Sequence, residues 1–278
     1  MSEKLDDIRE IFFGLEEYLK FTANTEDALL TNEIGKVFNE PEVKEALLAS
    51  YIRIINRKNP SDKIFRAIGN YIKENNDSTA MQDAMSRSQI RSKIWLVEEL
   101  VKIQPHFNHI AIMAGWFGQL CSIYDKKLTY AKIRIIELDK QACELSDYSF
   151  NLSNLENYKI KSVCADINNL TLHKNGYEWP VENFKENTKF NEKFLPDLII
   201  NTSAEHMTEE WFNQIRFKEL ESDPIVAIQS NNLFEIPDHI NCVHSVDHMK
   251  KKFPMKEILF EGELQLKGYK RVMLIGRP

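Results

Sequence analysis

Five short apolar runs alternate with helix-like segments in the second part of this chain, and this pattern is compatible with few folds. The runs occupy residues 109–115, 132–138, 160–166, 197–203 and 224–230. Continuous apolar character over so short a length is typical of strands buried on both faces of a parallel sheet. Segments that fit helices lie between them, at 117–127, 140–154 and 208–220. The alternation predicts a doubly wound α/β fold with a mostly parallel sheet.

Two further apolar runs, 257–267 and 270–277, predict strands of a different kind. No helix fits between them, and "LKGY" at 266–269 fits a tight turn, so we expect a C-terminal antiparallel hairpin. The sheet then has seven strands, with a short helix at 246–252 before the hairpin. Residues 168–196 are rich in Asn, Lys and Glu and are predicted to form an irregular insertion or lid.

The first part of the chain, residues 1–104, shows helical periodicity only. In its first segment Ile8, Ile11 and Leu15 recur on one helix face. The predicted helices cover 5–21, 41–57, 61–75 and 86–103, and the polar stretch 74–86 is predicted to be a loop. We therefore expect two domains, an all-α domain at 1–104 and an α/β domain at 105–278.

Charge and apolar content argue against several classes of protein. The formal net charge is −6, whereas broad contact with nucleic-acid phosphates needs concentrated Lys and Arg, although a tRNA or nucleotide partner stays open. No apolar run approaches the ~20 residues of a membrane helix, and the acidic start does not fit a signal peptide. The four cysteines form no CxxC pair, as expected of reduced thiols in a cytoplasmic protein.

The first apolar run leads into the turn "AGWFG", in which Gly115 and Gly118 bracket Trp116 and Phe117. Ligands of doubly wound folds bind at the carboxyl ends of the strands, and glycine lets the backbone approach them. The GxGxxG pattern that holds a pyrophosphate is absent, which disfavours a dinucleotide. The aromatic residues either favour a cation nearby or only pack at the turn.

The next two strand exits carry acids. Glu137 lies at the end of the second run, 19 residues after Gly118, at a position where a carboxylate accepts ribose hydroxyls in dinucleotide folds. Asp139 fits the cap of the next helix. Asp166 is the last residue of the third run, with Ile167 beside it. The alternative is that these acids are solvated turn residues.

The fourth strand exit, "NTSAEHM", brings together Asn201, Ser203, Glu205 and His206. A carboxylate next to an imidazole can supply a general base near neutral pH. The alternative is that Ser203 and Glu205 cap the following helix and that His206 is exposed. Further along, His239, His244 and His248 have spacings that fit loops, with no His-x-His pattern, so no metal site is predicted.

The four strand exits and the terminal hairpin together resemble those of the class I S-adenosylmethionine-dependent methyltransferases, over about residues 105–278. The resemblance implies a Rossmann-like domain with S-adenosylmethionine as cofactor. It implies that Glu137 holds the ribose and that Asp166 and Ile167 hold the adenine. The remaining implied cofactor contacts are Gly115, Trp116, Gly118 and Asn201, and the implied catalytic or acceptor residues are Asn201, Glu205 and His206.

The chain departs from the usual pattern of that family at two exits. The first motif has two glycines and no acid at the end of the strand, and Asn201 is not followed by Pro-Pro-Tyr, the pattern of enzymes that methylate base amino groups. Polar residues just ahead of the first strand either reach the donor's carboxylate or lie on the surface: Ser86, Arg87, Gln89 and Lys93.

The resemblance implies methyl transfer to an unidentified acceptor, which the negative net charge favours as a small molecule. Two alternatives stay open. A helical domain before such a sheet also resembles the nicotianamine synthases, which transfer an aminocarboxypropyl group. The altered first motif also fits a methyltransferase-like binding module without catalysis.

Overall fold

A mostly parallel sheet of seven strands runs through the molecule. The computed structural model describes all residues except 1–2, 38–40, 60–63, 67, 70, 72–80, 82–83, 152–158, 171, 184–187 and 216. The strands are β1 (His106–Met113), β2 (Thr129–Glu137), β3 (Ile160–Cys164), β4 (Tyr177–Asn183), β5 (Thr188–Phe194), β6 (Leu198–Asn201), β7 (Ile225–Asn231), β8 (Glu257–Gln265) and β9 (Lys270–Arg277). Their order in the large sheet is β3-β2-β1-β6-β7-β9-β8.

The direction of the strands confirms the predicted fold class. Strands β3, β2, β1, β6 and β7 are parallel, and β9 runs antiparallel to both β7 and β8. From β1 the chain adds β2 and β3 on one side, and only later β6 and β7 on the other. The order of the strands therefore switches between β1 and β6, the place where open α/β sheets bind ligands.

Helices cover both faces of this sheet. Those in the described part of the chain are α1 (Glu3–Phe21), α2 (Thr25–Val37), α3 (Pro41–Lys58), α4 (Arg87–Ile103), α5 (Gln119–Tyr124), α6 (Lys140–Asn151), α7 (Glu210–Asn213) and α8 (Val246–Lys252). The helix predicted at 208–220 is reduced to α7 and a 3₁₀ turn at Phe217–Glu219, and Phe212 of α7 packs on both Phe217 and Phe253. The helix predicted at 61–75 and the loop predicted at 74–86 lie largely outside the described residues.

Alternate residues of the strands belong to two separate apolar cores. In β1, Ile110 and Ile112 join the core beneath the N-terminal helices, α4, α5 and α6, whereas Ala111 and Met113 join the core on the opposite face. The first core continues without a break from α1 to β9. The predicted domain boundary at residues 104 and 105 falls between α4 and β1, beside this shared core, and stays a prediction.

The insertion before β6 contains an antiparallel hairpin, β4 and β5, and is therefore not irregular as predicted. Its apolar residues Tyr177, Trp179 and Phe194 pack into the core on the second face of the sheet. A buried ion pair also attaches it to β2, because Arg134 donates to the Glu192 carboxylate. These contacts supply the buried surface that a lone two-stranded hairpin lacks.

Candidate functional site

The loop between β1 and α5 has an unusual backbone. Ala114, Trp116 and Gly118 have φ values of 49°, 47° and 81°. Positive φ is uncommon for residues other than glycine and clusters at functional sites. Hydrogen bonds hold the strained residues, from Ala114 N to the Ile136 carbonyl at 2.8 Å and from Trp116 N to Glu137 Oε2 at 2.8 Å.

The two glycines of this loop are required by packing. A Cβ atom at Gly115 would lie 2.7 Å from Ile135 Cγ2, and one at Gly118 would lie 2.8 Å from Ile135 Cδ1 and 2.9 Å from Phe150. All three distances are shorter than real Cβ contacts, so a side chain at either position would displace its neighbours. The sequence predicted glycine here because a ligand approaches the backbone closely. The structure adds a second reason, which is the close contact of the loop with β2 and α6.

Glu137 lies at the end of β2, directly under the strained loop. Its Oε1 accepts from the backbone N–H groups of Leu138 and Asp139, at 2.8 and 3.0 Å, and its Oε2 accepts from Trp116 N. Asp139 in turn accepts from Gln141 N at 2.7 Å, at the start of α6. The carboxylate of Glu137 is thus held at one position at the edge of the sheet.

The exit of β3 lies beside that of β2, because Glu137 pairs with Cys164 in the register of the two strands. Asp166 lies two residues further on, and its Oδ1 accepts from Asn168 N at 2.9 Å at the start of a short 3₁₀ turn. Ile167 is half-buried against the core of the second face. Asp166 and Ile167 therefore follow Glu137 along the same edge.

Asn201, the last residue of β6, is fully buried. Its Oδ1 accepts from Ser203 N at 2.9 Å, and its Nδ2 contacts Met207 Sδ at 3.1 Å. The side chain of Asn201 thus shapes the turn after β6. The neighbouring residues Thr202 and Ser203 line a cavity between α4 and the loops after β1 and β6.

Glu205 forms an ion pair with Arg271 of β9 in the interior of the protein. The two side chains are 2% and 1% exposed, and Arg271 Nη1 lies 2.7 Å from Glu205 Oε1. The same oxygen accepts from Asn231 Nδ2 at 2.9 Å, while Arg271 also donates to the Thr202 carbonyl and to Gln89 Oε1, each at 3.1 Å. The pair connects α4, β7, β9 and the turn after β6.

His206 and His239 contact each other next to this ion pair. Their ring centroids lie 4.6 Å apart, with the planes at 85°. His206 is exposed, and its Nδ1 lies 3.6 Å from an oxygen of Asp238. Burial lowers the pKa of His239, and the charge of Glu205 opposes that shift without cancelling it. Burial of the ring therefore favours the neutral form of the His239 imidazole.

A cavity of about 370 Å³ lies where these elements meet, between α4 and the loops after β1 and β6. The residues that line it are Ala84, Gln89, Lys93, Ile112, Ala114, Gly115, Trp116, Gln119, Leu120, Thr202, Ser203, Glu205 and His206. A second space of about 70 Å³ lies beside Tyr71, Asp139 and Gln141, and Trp116 borders both. Of the residues singled out in the sequence, those that line the main cavity are Gln89, Lys93, Gly115, Trp116, Ser203, Glu205 and His206.

Five of the predicted site residues are not among those that line the main cavity: Gly118, Glu137, Asp166, Ile167 and Asn201. The first four lie further along the edge, under the loop and at the exits of β2 and β3, and Asn201 is buried at the end of β6. Of the polar residues that the sequence offered for the donor's carboxylate or for the surface, the cavity includes Lys93, which is only 6% exposed and donates to Gln89 Oε1 at 3.0 Å. Gln89 and Lys93 lie four residues apart on α4, a spacing that places both on one helix face.

The comparisons with known proteins give structural matches only. No family model matches the sequence, and no curated protein matches it. One matching structure is the N-methyltransferase NodS from Bradyrhizobium japonicum WM9, at 9% identity and a TM-score of 0.47, over 68% of this chain and 96% of that chain. Another is magnesium protoporphyrin IX methyltransferase from Synechocystis PCC 6803, with S-adenosylhomocysteine bound, at 10% identity and 0.48, over 81% and 97%.

A third match is an S-adenosylmethionine-dependent methyltransferase from Clostridium acetobutylicum ATCC 824, at 14% identity and a TM-score of 0.47, over 71% of this chain and 96% of that chain. All three TM-scores lie below 0.5, so the strand order seen in this chain, and not these matches, defines its fold. That order, with its C-terminal antiparallel hairpin, resembles the class I methyltransferase fold. Within the described residues, no helix has the length and apolar character needed to cross a bilayer.

Proposed function

We propose that this chain is an S-adenosylmethionine-dependent methyltransferase that acts on a small-molecule acceptor. The observation that carries the proposal is a cavity at the switch between β1 and β6, bordered by a strained loop whose backbone is tied to the carboxylate of Glu137. Its volume of about 370 Å³ lies within the range of about 300–1,000 Å³ for small-molecule sites. S-adenosylmethionine supplies a methyl carbon activated by the charge of a sulfonium.

The exits of β2 and β3 are the proposed nucleoside side of the site. Glu137 would accept hydrogen bonds from the ribose hydroxyls, since its carboxylate is held in place by backbone amides. Asp166 and Ile167, further along the same edge, would contact the adenine. Gly115 and Gly118 shape the loop between the nucleoside and the cavity, and Trp116 covers the junction of the two spaces.

The amino-acid end of the cofactor would lie in the main cavity, near α4. Lys93 provides a buried positive charge on the cavity wall, and Gln89 provides an amide beside it. A cation in a partly dry cleft favours a carboxylate strongly. We therefore assign Lys93 and Gln89 to the donor's carboxylate, the first of the two interpretations of these residues.

The acceptor would enter beside the turn after β6. Glu205 and His206 line the cavity there, and Asn201 holds the turn that presents them. Arg271 and Asn231 hold one oxygen of Glu205, so its side chain has a defined position. Glu205 and His206 are thus the proposed acceptor residues, with Asn201 in a positioning role.

Calorimetry with S-adenosylhomocysteine tests the proposal. Glu137→Gln should weaken binding by about 10- to 100-fold, the loss expected for hydrogen bonds to a charged group. Glu144→Gln is a matched control, since Glu144 is an exposed carboxylate on α6, paired only with Lys140 at 3.6 Å among the ion pairs described. It should leave affinity unchanged.

A second ligand separates ribose binding from a structural role of Glu137 in the loop. The wild-type protein should bind the 2′-deoxy analogue of S-adenosylhomocysteine more weakly than the parent compound, and Glu137→Gln should lose this preference. Loss of loop structure alone would weaken both ligands equally. Absence of binding to the wild-type protein, or full affinity in Glu137→Gln, would contradict the proposal.

The transferred group is identified from the product nucleoside. Methyl transfer releases S-adenosylhomocysteine, whereas aminocarboxypropyl transfer releases methylthioadenosine. Neither the fold nor the comparisons support aminocarboxypropyl transfer or a silent binding module. Mass analysis after incubation with a panel of small-molecule acceptors should therefore show S-adenosylhomocysteine.

A further inference from the structure

Three side chains with metal-binding atoms converge beside the main cavity. Glu205, His206 and His239 each offer one such atom, and these atoms all lie within 4.8 Å of one another. They come from the loops after β6 and β7, which are joined by a backbone hydrogen bond from Asn241 N to the Glu205 carbonyl at 2.9 Å. The convergence therefore depends on well-paired backbone and not on side chains alone.

Two residues of this cluster each carry a buried side-chain atom that has no hydrogen bond within the described residues. Within the described part of the chain, neither Glu205 Oε2 nor His239 Nδ1 has a hydrogen-bond partner. Glu205 is 98% buried by residue, since its exposed fraction is 2%. An unsatisfied buried carboxylate oxygen costs about 1–3 kcal/mol or more, so such atoms in native proteins need an explanation. A bound cation would satisfy both atoms at once.

The surroundings of the three residues fit this explanation. Arg271 and Asn231 donate to Oε1 of Glu205, so they hold the carboxylate through that oxygen and not through Oε2. Asp238 lies 3.6 Å from Nδ1 of His206 and places a negative charge beside it, and the imidazole of His239 is hydrogen-bonded to the backbone of Leu233. A hydrogen bond to the backbone orients histidine ligands in metal sites.

We propose that Glu205, His206 and His239 bind one divalent transition-metal ion. Two imidazoles and one carboxylate suit Zn²⁺, Mn²⁺, Fe²⁺ or Co²⁺, whereas Mg²⁺ and Ca²⁺ prefer oxygen ligands alone. The proposal replaces the sequence-based expectation that this chain has no metal site. A shift of the side chains by less than 1 Å would bring ligand atoms at 4.8 Å into coordination distance, about 2.0–2.2 Å from a central ion.

The metal would define the class of acceptor, an inference that rests on the proposed methyltransferase function. Because Glu205 and His206 line the cavity, coordination positions not filled by protein would face it. Such positions bind oxygen atoms of a substrate and hold them in place. The acceptor would therefore carry a hydroxyl or carboxylate that ligates the metal, and His206 and Glu205 would serve as ligands instead of as a general base.

Metal binding is measured on untagged full-length protein after treatment with a chelator. Equilibrium dialysis against Co²⁺, followed by elemental analysis, should give one equivalent per chain, with the visible absorption bands of protein-bound Co²⁺. His239→Ala and His206→Ala should each lower the Co²⁺ affinity by more than about tenfold. His244→Ala is the matched control, because His244 stacks on Phe234 and His248 in the same loop region and is not part of the cluster.

Each outcome bears on the proposal. One equivalent of Co²⁺ that is lost in His206→Ala and His239→Ala, and kept in His244→Ala, supports it. Absence of stoichiometric binding by the wild-type protein, or equal affinity in all three variants, overturns it. Calorimetry with S-adenosylhomocysteine on the metal-free protein separates the two proposals, because cofactor binding without metal binding leaves the methyltransferase proposal standing, and the reverse leaves only the metal site.

Discussion

The buried ion pair between Glu205 and Arg271 makes a large and specific prediction for stability. Arg271→Met keeps an apolar side chain of similar length in β9 but removes the positive charge that faces Glu205 Oε1 at 2.7 Å. The carboxylate would then keep Asn231 as its remaining hydrogen-bond donor of the two described for Oε1. We expect a marked loss of folding free energy.

The magnitude follows from burial. At an effective dielectric constant of about 20, two charges about 4 Å apart attract each other by about 4 kcal/mol. Removing one partner of a fully buried pair costs about 3–5 kcal/mol, because the other charge stays buried and uncompensated. Both side chains are 2% exposed or less, so the full effect should appear.

Urea unfolding near pH 7 checks this value, with Arg277→Met as the matched control. Arg277 lies on the same strand but pairs with Asp223, which is 78% exposed, and with Glu257, which is 58% exposed. An exposed pair contributes at most about 1 kcal/mol. If Arg271→Met costs no more than Arg277→Met, the inferred burial of the ion pair is wrong.

The double variant Arg271→Met, Glu205→Gln separates charge from packing. Because it removes both charges together, it should be more stable than the sum of the two single losses predicts, by more than about 1 kcal/mol. Strictly additive losses would show that Glu205 and Arg271 do not interact. Unfolding of the wild type, the two single variants and the double variant in the same buffer provides the comparison.

Three further predictions concern other parts of the structure. Burial acts to raise the pKa of Glu192, but the hydrogen bonds and charge of Arg134 outweigh it and lower the pKa. The ion pair therefore stabilises the fold above the unfolded pKa of about 4.3, and this stabilisation is lost as the pH falls through the folded pKa. The stability difference between wild type and Glu192→Gln, measured in urea, should thus shrink below about pH 4, and a difference that is constant from pH 7 to pH 3 would contradict this. Gly118→Ala should lower the free energy of unfolding by about 1–3 kcal/mol in the same assay, because φ is 81° and the new Cβ would contact Ile135 and Phe150. An unchanged urea midpoint would exclude that backbone conformation. Lys93→Met should weaken the binding of S-adenosylhomocysteine by about tenfold or more in calorimetry, but it should not change the binding of methylthioadenosine, which lacks the carboxylate. Lys102→Met is the control, because Lys102 is exposed. An equal loss of affinity for both nucleosides would refute the assigned contact.

The local pattern of the sequence predicted the sheet well. Apolar runs are properties of contiguous residues, and strands buried on both faces need them, so each of the seven strands was found within a few residues of its predicted bounds. The position of Glu137 at the end of β2 follows from the same pattern. The hairpin of β4 and β5 escaped prediction because its strands mix apolar and charged residues and depend on contact with β2.

What the sequence by itself determined is the class of fold and the strand exits that would carry a site. The tertiary structure decided which of those residues act together. Glu205 is separated by 66 residues from Arg271, and it meets His239 only because the loops after β6 and β7 lie side by side. The fold buries Lys93 in the cavity wall, and within the described residues one oxygen of Glu205 has no hydrogen-bond partner. Such long-range contacts and the loss of water around them depend on the packed order of the strands, which no local pattern encodes.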